Sequence, residues 1–444
     1  MDIKISPGGL SGSVRAISSK SDMHRALICA AFSDKSTRIS CNVLSKDIEA
    51  TARCLRAMGA DISHDESRGE FIVDPVKFEA RDERIQKACC TANAKEITAL
   101  DCGESGSTLR FILPVATAMG GEFYVTGEGK LPERPLGPLM TELSRHGISF
   151  SADKLPLYMK GKLTGNEFEI AGNISSQFIT GLLLAFPILD SENKKAGKSG
   201  SAPELKLTTH LESEAYVDIS LSVMKAFGKE VEKGSGGFKL NADAGCKAYP
   251  DHKDYKGYIS PGSYTVDGDW SNGAMWLCAD AIEGNSIEVT GLKNDSPQGD
   301  RQVTEILQKM STEEKLTVDV SGVPDLVPAL AAAAALKEGC VSFINAGRLR
   351  IKECDRLSAI AENLKKLSVR VEETPDSLTV WGRPELKGGV RLRGFNDHRM
   401  VMSAAILGAA CREPVVIEEA EAVSKSYPGF FEDFRKLGGK ADVI

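Results

Sequence analysis

Leu55-Arg-Ala-Met-Gly-Ala-Asp-Ile62 indicates the end of a helix, a glycine that stops it, and the start of a short strand. The same arrangement recurs along the chain, usually with glycine at the stop. The further copies begin at Leu143, Met224, Leu307, Leu364 and Phe434. They lie roughly 55–90 residues apart, which is the size of a small α/β unit rather than a solenoid repeat. The sequence therefore predicts six copies of one unit, most simply divided into two domains of three.

Each copy also contains a strand and a second helix that is apolar on nearly every side. Strands are predicted at 37–41, 122–126, 205–209, 286–290, 341–345 and 414–418, from their β-branched and aromatic residues. The apolar helices are predicted at 24–32, 108–119, 178–189, 274–282, 326–336 and 400–411. A helix without a polar face is expected to be buried. The predicted fold class is therefore α/β, with a buried helix in every copy.

Polar residues precede each apolar helix, and ordinary helix capping explains most of them. Capping does not explain Lys20, Arg25, Arg110 and Arg399, which are cations near predicted helix starts and oppose the helix dipole there. A helix start combined with a cation favours the binding of an anion. We therefore predict a site for a multiply charged, phosphate-type ligand to which several helix starts contribute.

The stretch Arg348-Leu-Arg-Ile-Lys-Glu-Cys-Asp-Arg356 carries four cations and two acids between a predicted strand and a predicted helix. Lys352 and Arg356 are four residues apart and would share a helix face, with Glu353 beside them. Two cations and a carboxylate can bind a small anion and also transfer a proton. Taken alone, the pattern leaves open a solvated, salt-bridged helix end.

Composition argues against several classes of protein. The chain has 444 residues and a net charge of −7, which is evidence against nucleic-acid binding through a basic surface. Its longest apolar run, 326–336, is too short to span a bilayer. The first residues lack the basic and apolar segments of a signal peptide, so we expect none. The eleven cysteines have no metal-ligand spacing, which indicates reduced thiols in a cytoplasmic protein.

Nine short motifs follow one another along the chain. They are Ser19-Lys20-Ser21 with Arg25, Gly103-Glu-Ser-Gly106-Ser-Thr-Leu-Arg110, Pro132-Glu-Arg134-Pro-Leu, Ser175-Ser176-Gln177, Ser213-Glu-Ala-Tyr216, Asp325, Lys352-Glu353-Cys-Asp-Arg356, Asp397-His-Arg399 and Ser424-Lys425-Ser-Tyr-Pro. In this order the chain resembles the 5-enolpyruvylshikimate-3-phosphate (EPSP) synthases of the enolpyruvyl transferase family. Each motif is short, but nine in register over most of the chain argue against coincidence.

The resemblance implies two domains, each of three βαβαββ units, in the inside-out α/β barrel arrangement of that family. Residues 1–15 with 263–444 would form one domain and residues 16–262 the other, with the substrates bound in the cleft between them. The pattern alone suggests the glycine- and lysine-rich segment 233–262 as the boundary. Residues 82–94 have no counterpart in the family pattern. The resemblance also implies a monomer that uses no metal and no organic cofactor.

The implied reaction joins phosphoenolpyruvate to the 5-hydroxyl of shikimate 3-phosphate and releases phosphate, in chorismate and aromatic amino-acid biosynthesis. The implied phosphoenolpyruvate ligands are Lys20, Gly106, Arg134, Gln177, Arg356, Arg399 and Lys425. The implied shikimate 3-phosphate ligands are Lys20, Ser21, Arg25, Ser175, Ser176, Gln177, Ser213, Tyr216, Asp325 and Lys352. Asp325 is the implied base for the 5-hydroxyl, and Glu353, assisted by Lys20, is the implied proton-transfer group at the methylene carbon.

Three positions depart from the family pattern. Ser107 and Phe111 stand where threonine and proline are usual, close to Gly106, and can alter how the pocket accommodates analogues such as glyphosate. Arg348 stands where some members have an asparagine that touches the shikimate phosphate.

Two alternative functions stay open. UDP-N-acetylglucosamine enolpyruvyl transferases share the fold, but they typically have Lys-Asn where this chain has Lys20-Ser21. They also carry a cysteine in the loop that corresponds to residues 120–136, which contains none here. A non-catalytic anion-binding protein of the same fold would be favoured by loss of either acid, and both Asp325 and Glu353 are present.

Overall fold

A computed structural model describes residues 1–77, 97–197, 201–241 and 257–444. The strands in these ranges are β1 (Ile3–Ser6), β2 (Ser11–Arg15), β3 (Thr37–Ser40), β4 (Asp61–Asp65), β5 (Glu70–Asp74), β6 (Thr98–Asp101), β7 (Gly121–Thr126), β8 (Ser149–Phe150), β9 (Leu157–Gly161), β10 (Glu167–Ile170), β11 (Glu204–Leu207), β12 (Val231–Gly234), β13 (Gly237–Leu240), β14 (Ser263–Thr265), β15 (Ser286–Thr290), β16 (Lys315–Asp319), β17 (Cys340–Ile344), β18 (Arg370–Glu373), β19 (Leu378–Trp381), β20 (Arg391–Leu392), β21 (Val415–Ile417) and β22 (Lys440–Val443). The helices are α1 (Lys20–Ala31), α2 (Lys46–Ala57), α3 (Gly106–Met119), α4 (Gly137–Arg145), α5 (Ser176–Lys195), α6 (Glu214–Ala226), α7 (Trp270–Asp280), α8 (Val303–Thr312), α9 (Val327–Ala334), α10 (Arg356–Lys366), α11 (His398–Ala409) and α12 (Phe430–Lys436). Short 3-10 turns lie at Leu131–Glu133, Gly299–Gln302, Pro324–Leu326, Gly347–Ile351 and Ala420–Lys425.

The chain divides into two compact units, residues 1–19 with 267–444 and residues 20–266. The divisions predicted after residues 15 and 262 lie a few residues earlier than these. β1 pairs with β21 and β22, and β2 pairs in parallel with β15, so the first strands join the C-terminal half. Segment 233–262 is wrong as a boundary, because β12 and β13 pair with each other and β13 pairs with β11 inside the unit 20–266. Residues 82–94 and 242–256 lie outside the described ranges.

The predicted repeat is confirmed by the sheets. The unit 20–266 contains three four-stranded sheets, ordered β14-β3-β5-β4, β6-β7-β9-β8 and β10-β11-β13-β12. The other unit contains β16-β17-β19-β18, β20-β21-β1-β22 and the pair β15-β2. In each four-stranded sheet the first two strands are parallel and the other pairs are antiparallel. The recurring sequence pattern therefore corresponds to one recurring topology.

The predicted apolar helices are also confirmed. They are α1, α3, α5, α7, α9 and α11, and most of their residues are buried. All eight residues of α9 are buried, which follows from its sequence Val-Pro-Ala-Leu-Ala-Ala-Ala-Ala. No helix in the described ranges is both long and apolar enough to cross a membrane.

The second helix of each copy ends as its sequence predicts. Gly59, Gly147, Gly228 and Gly438 follow α2, α4, α6 and α12 with positive φ angles of 107°, 93°, 71° and 93°. Glycine is favoured there because it adopts this backbone conformation without steric cost. After α10 the same conformation falls on Ser368, with φ 62°.

Helices α3 and α5 pack against each other at Gly181. A Cβ atom on this glycine would run into the carbonyl oxygen of Arg110 and lie 3.1 Å from Cγ of Pro114. The absence of a side chain therefore sets how closely the two helices approach. This contact matters for the site, because the starts of both helices carry predicted ligands.

We expect Gly181→Ala to destabilise the protein by about 1–3 kcal/mol, because the added methyl group must force the helices apart. Gly137→Ala is the matched control, since a Cβ at this first residue of α4 meets nothing within 4 Å. The control should be neutral or slightly stabilising, because alanine favours a helix more than glycine does. Urea denaturation followed by circular dichroism measures both. Equal stability of the two variants would contradict the packing argument.

Candidate active site

In the unit formed by residues 1–19 and 267–444, one buried guanidinium joins three acids. Arg356, the first residue of α10, is 1% exposed. Its Nη1 donates to Asp325 Oδ1 at 2.7 Å, its Nε to Asp397 Oδ2 at 2.7 Å, and its Nη2 to Glu353 Oε2 at 2.5 Å. Burial disfavours the charged guanidinium, but the carboxylates of Asp397, Glu353 and Asp325 outweigh it and hold the pKa of Arg356 well above its ordinary value. The arginine therefore stays charged and fixes both predicted catalytic acids of this unit.

Asp325 contacts two further cations. Lys352 Nζ lies 3.3 Å from Asp325 Oδ1, and Arg399 Nη2 lies 3.5 Å from Oδ2. Asp325 belongs to the 3-10 turn before α9, while the capping residue of α9 is Leu326, which makes no side-chain cap. The carboxylate is thus directed at cations, as a functional role requires.

The Lys352 ammonium has an unusual environment. Burial lowers the pKa of Lys352 to about 8; Asp325 and Glu353 oppose this shift, while Arg356 and Arg348 add to it. Lys352 therefore changes charge close to physiological pH, whereas an exposed lysine would not.

Two predicted ligands lie near the start of α11. Arg399 is in its first turn, and Lys425 belongs to the 3-10 turn Ala420–Lys425. Asp397 caps α11 by accepting the backbone N–H of Arg399 at 2.9 Å. Arg399 Nη2 donates to Ser271 Oγ at 2.7 Å. Lys425 Nζ donates to the carbonyl oxygen of Asn396 at 2.6 Å, and Asn396 has a positive φ of 50°. A backbone conformation that costs energy therefore presents this carbonyl to the lysine.

Asp300 lies behind this cluster and is 4% exposed. Its Oδ1 accepts no hydrogen bond from the described residues. Burial raises its pKa to about 6, the charge of Asp325 adds to the rise, and Arg399 and a hydrogen bond from Ser271 oppose it.

In the unit 20–266, Lys20 begins α1, and its Nζ donates to Asp47 Oδ2 at 2.7 Å. Buried hydroxyl groups connect α1 with α2 and α3 behind this pair. His24 Nδ1 lies 2.7 Å from Thr51 Oγ1, which lies 2.6 Å from Thr108 Oγ1. Thr108 Oγ1 in turn donates to the carbonyl oxygen of Asp47 at 3.3 Å. The polar starts of these helices are thereby held in register.

The start of α3 brings two arginines together over a glycine. A Cβ atom on Gly106 would run into Nη1 of both Arg134 and Arg110, so only glycine allows both guanidinium groups to lie there. Arg110 Nη1 donates to Gln177 Oε1 at 3.0 Å, and Gln177 Nε2 donates to Ser107 Oγ at 2.9 Å. Two cations at a helix start form a strong anion-binding arrangement.

The predicted ligand Arg25 is buried and bonded within its unit. Its Nε donates to Ser220 Oγ at 2.7 Å and its Nη2 to the carbonyl oxygen of Tyr216 at 2.8 Å. It also donates to the carbonyl oxygen of Ser21. Burial lowers the pKa of Arg25 to about 10. Arg25 thus connects the start of α1 to the start of α6, where Ser213 adopts a positive φ of 53°.

The remaining predicted ligands lie at the start of α5. Ser175 caps this helix by accepting the backbone N–H of Gln177 at 3.3 Å, so capping explains at least part of its presence. Ser176 is the first residue of the helix and is buried.

The structure thus places the predicted residues of each unit at helix starts or in the loops beside them, and it adds residues that the sequence analysis did not assign as ligands or catalytic groups. These are Asp47, Arg110, Ser271, Asp300 and Asp397. Arg110 and Asp397 carried a signal, one as a cation at a helix start and the other in the Asp397-His-Arg399 motif. Asp47 lies in the first turn of α2 and belongs to none of the sequence motifs, and its pairing with Lys20 depends on the tertiary fold.

Comparisons with known proteins identify the family and the fold. The sequence profile of the family described as EPSP synthase (3-phosphoshikimate 1-carboxyvinyltransferase) matches residues 5–434. The chain is 40% identical to the 3-phosphoshikimate 1-carboxyvinyltransferase of Clostridioides difficile (strain 630), over 99% of this chain and 98% of that protein. An EPSP synthase structure from Acinetobacter baumannii matches with a TM-score of 0.75 at 22% identity and covers 100% of both chains. The enolpyruvyl transferase NikO from Streptomyces tendae matches with a TM-score of 0.72 at 17% identity, over 99% of this chain and 98% of that one. The two structural matches support the inside-out α/β fold.

We expect Asp300→Asn to become increasingly stabilising, relative to the unchanged protein, as the pH rises from 4 to 7. The pKa of Asp300 is about 6 when folded and near 3.8 when unfolded, so its favourable contribution is complete below pH 4 and is lost as the pH rises through 6. The difference between the two proteins should grow by about 3 kcal/mol over this range. Urea denaturation at several pH values measures it.

Asp319→Asn is the control with the opposite sign. Burial opposes the shift, but hydrogen bonds from Ser321 and Asn345 lower the pKa of the Asp319 carboxyl. Its replacement should therefore cost stability at neutral pH and not in acid. A pH-independent effect of Asp300→Asn on stability would contradict the raised pKa of Asp300.

Proposed function

The chain belongs to the EPSP synthase family, and on that basis we propose that it transfers the enolpyruvyl (1-carboxyvinyl) group of phosphoenolpyruvate to the 5-hydroxyl of shikimate 3-phosphate. One observation supports this reading above the others. The two acids that the reaction needs, Asp325 and Glu353, are both bonded to Arg356, with Lys352 beside them. A site that only bound anions would gain nothing from two carboxylates.

We assign the phosphoenolpyruvate-binding role to a set that shares positive charge or close backbone approach. The set is Lys20, Gly106, Arg134, Gln177, Arg356, Arg399 and Lys425. Arginine offers a planar fork to carboxylate or phosphate, and lysine offers a compact point charge. The Gly106 geometry supports the assignment, because it leaves the Arg134 guanidinium beside a helix start.

We assign the shikimate 3-phosphate-binding role to a set dominated by hydroxyl and amide groups, which suit ring oxygens and phosphate. The set is Lys20, Ser21, Arg25, Ser175, Ser176, Gln177, Ser213, Tyr216, Asp325 and Lys352. Within it, the guanidinium of Arg25 already donates to protein acceptors. Its contribution is therefore the positive charge and the alignment of Ser21 and Tyr216.

The proposed chemistry is addition followed by elimination. Asp325 takes the proton of the 5-hydroxyl while the hydroxyl oxygen bonds to the central carbon of phosphoenolpyruvate. Glu353, assisted by Lys20, protonates the methylene carbon in the same step. Glu353 then takes a proton back from the new methyl group as the carbon–oxygen bond to phosphate breaks. The electron pair of the broken carbon–oxygen bond leaves with phosphate. Phosphate takes up one proton and Asp325 gives up the proton it took from the 5-hydroxyl, so atoms and protons balance.

Arg356 supports both proton transfers through its direct bonds. Its guanidinium donates to one carboxyl oxygen of Asp325 and to one of Glu353 in the resting site. When Glu353 gives its proton to carbon, the guanidinium stabilises the carboxylate that results. We also propose that the chain acts as a monomer in the cytoplasm. The absence of disulfide bonds among the described cysteines is compatible with that compartment.

The test is phosphate release on mixing the protein with phosphoenolpyruvate and shikimate 3-phosphate. We expect release with this acceptor and none with UDP-N-acetylglucosamine. Glu353→Gln should lower kcat by about 10²–10⁴-fold, because a general acid–base group is lost. Glu362→Gln is the matched control and should leave kcat unchanged, because Glu362 lies within α10, is only partly buried and pairs with Lys366. Release only with the sugar nucleotide, or with neither acceptor, would refute the proposal.

We expect the affinity for shikimate 3-phosphate to fall above pH 8, where free Lys352 loses its proton. Binding the phosphate then requires proton uptake, so the dissociation constant should rise roughly tenfold per pH unit above that value. Calorimetry between about pH 6.5 and 9.5 covers the pH range on both sides of the Lys352 pKa. Lys352→Met should bind weakly at every pH, and Lys352→Arg should bind without this pH dependence. A dependence that survives in Lys352→Arg would assign it to another group.

A further inference from the structure

Arg350 lies in the 3-10 turn that precedes Lys352 and Glu353, and each of its five N–H donors has an acceptor. Its acceptors are Pro375 O for Nε at 2.8 Å, Asp355 Oδ2 and Ser358 Oγ for Nη1 at 2.7 and 3.1 Å, and Glu373 Oε1 and Thr374 O for Nη2 at 2.9 and 2.6 Å. Burial opposes the charge, but hydrogen bonds to Asp355 and Glu373, together with the charges of these two acids, raise the pKa of Arg350 above its ordinary value. The guanidinium is thus permanently charged, and all of its N–H groups donate hydrogen bonds.

The acceptors of Arg350 come from two elements that flank the segment with the proposed catalytic acid. Asp355 and Ser358 form the cap of α10, since Asp355 Oδ1 accepts the backbone N–H of Ser358 at 3.1 Å. Glu373 ends β18 and also accepts from Ser358 Oγ at 2.6 Å. Thr374 begins the turn between β18 and β19. One side chain therefore joins the helix that carries Arg356 to a hairpin of the adjacent sheet.

The hairpin turn is itself rigidly bonded. Thr374 Oγ1 lies 2.6 Å from Ser377 Oγ, and the backbone N–H of Thr374 donates to the carbonyl oxygen of Ser377 at 3.0 Å. The backbone N–H of Ala346 donates to the carbonyl oxygen of Asp376 at 2.7 Å. The turn therefore forms a fixed support against which residues 346–351 lie.

We propose that Arg350 is a positioning residue. By bonding the loop that contains Lys352 and Glu353 to the β18–β19 turn, it holds both side chains in place. Arg350 is two residues from Lys352 and three from Glu353, so a change in the loop backbone moves both. The neighbouring contacts confirm how tightly these side chains are placed: Glu353 meets Arg356 at 2.5 Å and Lys352 meets Asp325 at 3.3 Å. The proposal rests on the function proposed above, because Lys352 and Glu353 have their roles only in that reaction.

Lysine cannot replace Arg350 in this role. A lysine has three donors on a single nitrogen atom, whereas arginine spreads five donors over three nitrogen atoms. A lysine therefore cannot reach the acceptors at the start of α10 and those of the β18–β19 turn at the same time. A surface ion pair that only adds stability would tolerate the change, since such pairs contribute about 0–1 kcal/mol. The two explanations therefore predict different results for Arg350→Lys.

The first experiment measures hydrogen exchange of the free protein, without substrate and independently of activity. In Arg350→Gln the amides of Ala346 and Leu349 should exchange at least about tenfold faster, because their loop is no longer held. Arg391→Gln is the matched control, since Arg391 also bridges two carboxylates, those of Asp2 and Glu418, in the same unit. Unchanged exchange in Arg350→Gln would overturn the proposal even if the protein proved to have no activity.

The second experiment is a double-mutant cycle on phosphate release, at a temperature where every variant is folded. Arg350→Gln and Arg350→Lys should each lower kcat by about 10–100-fold, the expected effect of a small misplacement of a catalytic group. In a Glu353→Gln background, at saturating substrate, the additional loss from Arg350→Gln should shrink to less than about threefold. The acid–base group that Arg350 positions is then already gone, and Lys352 is assigned to substrate binding and so affects affinity rather than kcat. An equal loss in both backgrounds, or unchanged kcat in Arg350→Lys, would overturn the proposal. No phosphate release by the unaltered protein would instead refute the proposed function.

Discussion

The charge of Arg356 must be satisfied inside the protein, and this requirement organises one half of the candidate site. A guanidinium that is 1% exposed would be very costly without partners, because the interior cannot replace its hydration. Three carboxylates meet the requirement, and they come from the turn before α9, the loop before α10 and the cap of α11. Satisfying one buried cation therefore fixes the relative positions of Asp325, Glu353 and Asp397. The same bonds that stabilise the unit hold in place the two acids to which we assign proton transfer.

Both units place functional groups at the starts of buried helices, and the reason is physical. The body of such a helix is apolar, but its first backbone N–H groups have no partner within the helix. These starts must meet polar groups, so polar residues can be kept there in an otherwise apolar core. In the unit 20–266 the hydroxyls of Thr51 and Thr108 meet this need and align α1, α2 and α3. At Gly106 the helix start and two arginines leave room only for a residue without a side chain.

Several cations of the candidate site are paired with acids, which refines the sequence-based expectation of a field of positive charge. Lys20 pairs with Asp47, and Asp325 contacts Lys352, Arg356 and Arg399. An arriving anion must therefore compete with carboxylates for its ligands. We expect this competition to couple binding to proton transfer, since a carboxylate that loses part of its cation contact becomes a better base. The neutralised resting cluster also explains how so much charge is tolerated at buried helix starts.

The sequence by itself determined the repeat, the buried helices, the helix stops at Gly59 and Gly438, and the motif residues of the site. These properties are local, because periodicity, capping and turn conformation depend on neighbours along the chain. The sequence did not determine where the boundary between the units lies, because β12 and β13, at the start of segment 233–262, continue a sheet of the unit 20–266. Nor did it determine that Asp47 pairs with Lys20. Only the tertiary structure decided that Arg356 joins three acids, that Arg110 and Arg134 meet over Gly106, and that Arg350 holds the loop before α10. These contacts join residues distant in sequence, and pairing between a buried charge and its partners depends on how the elements pack.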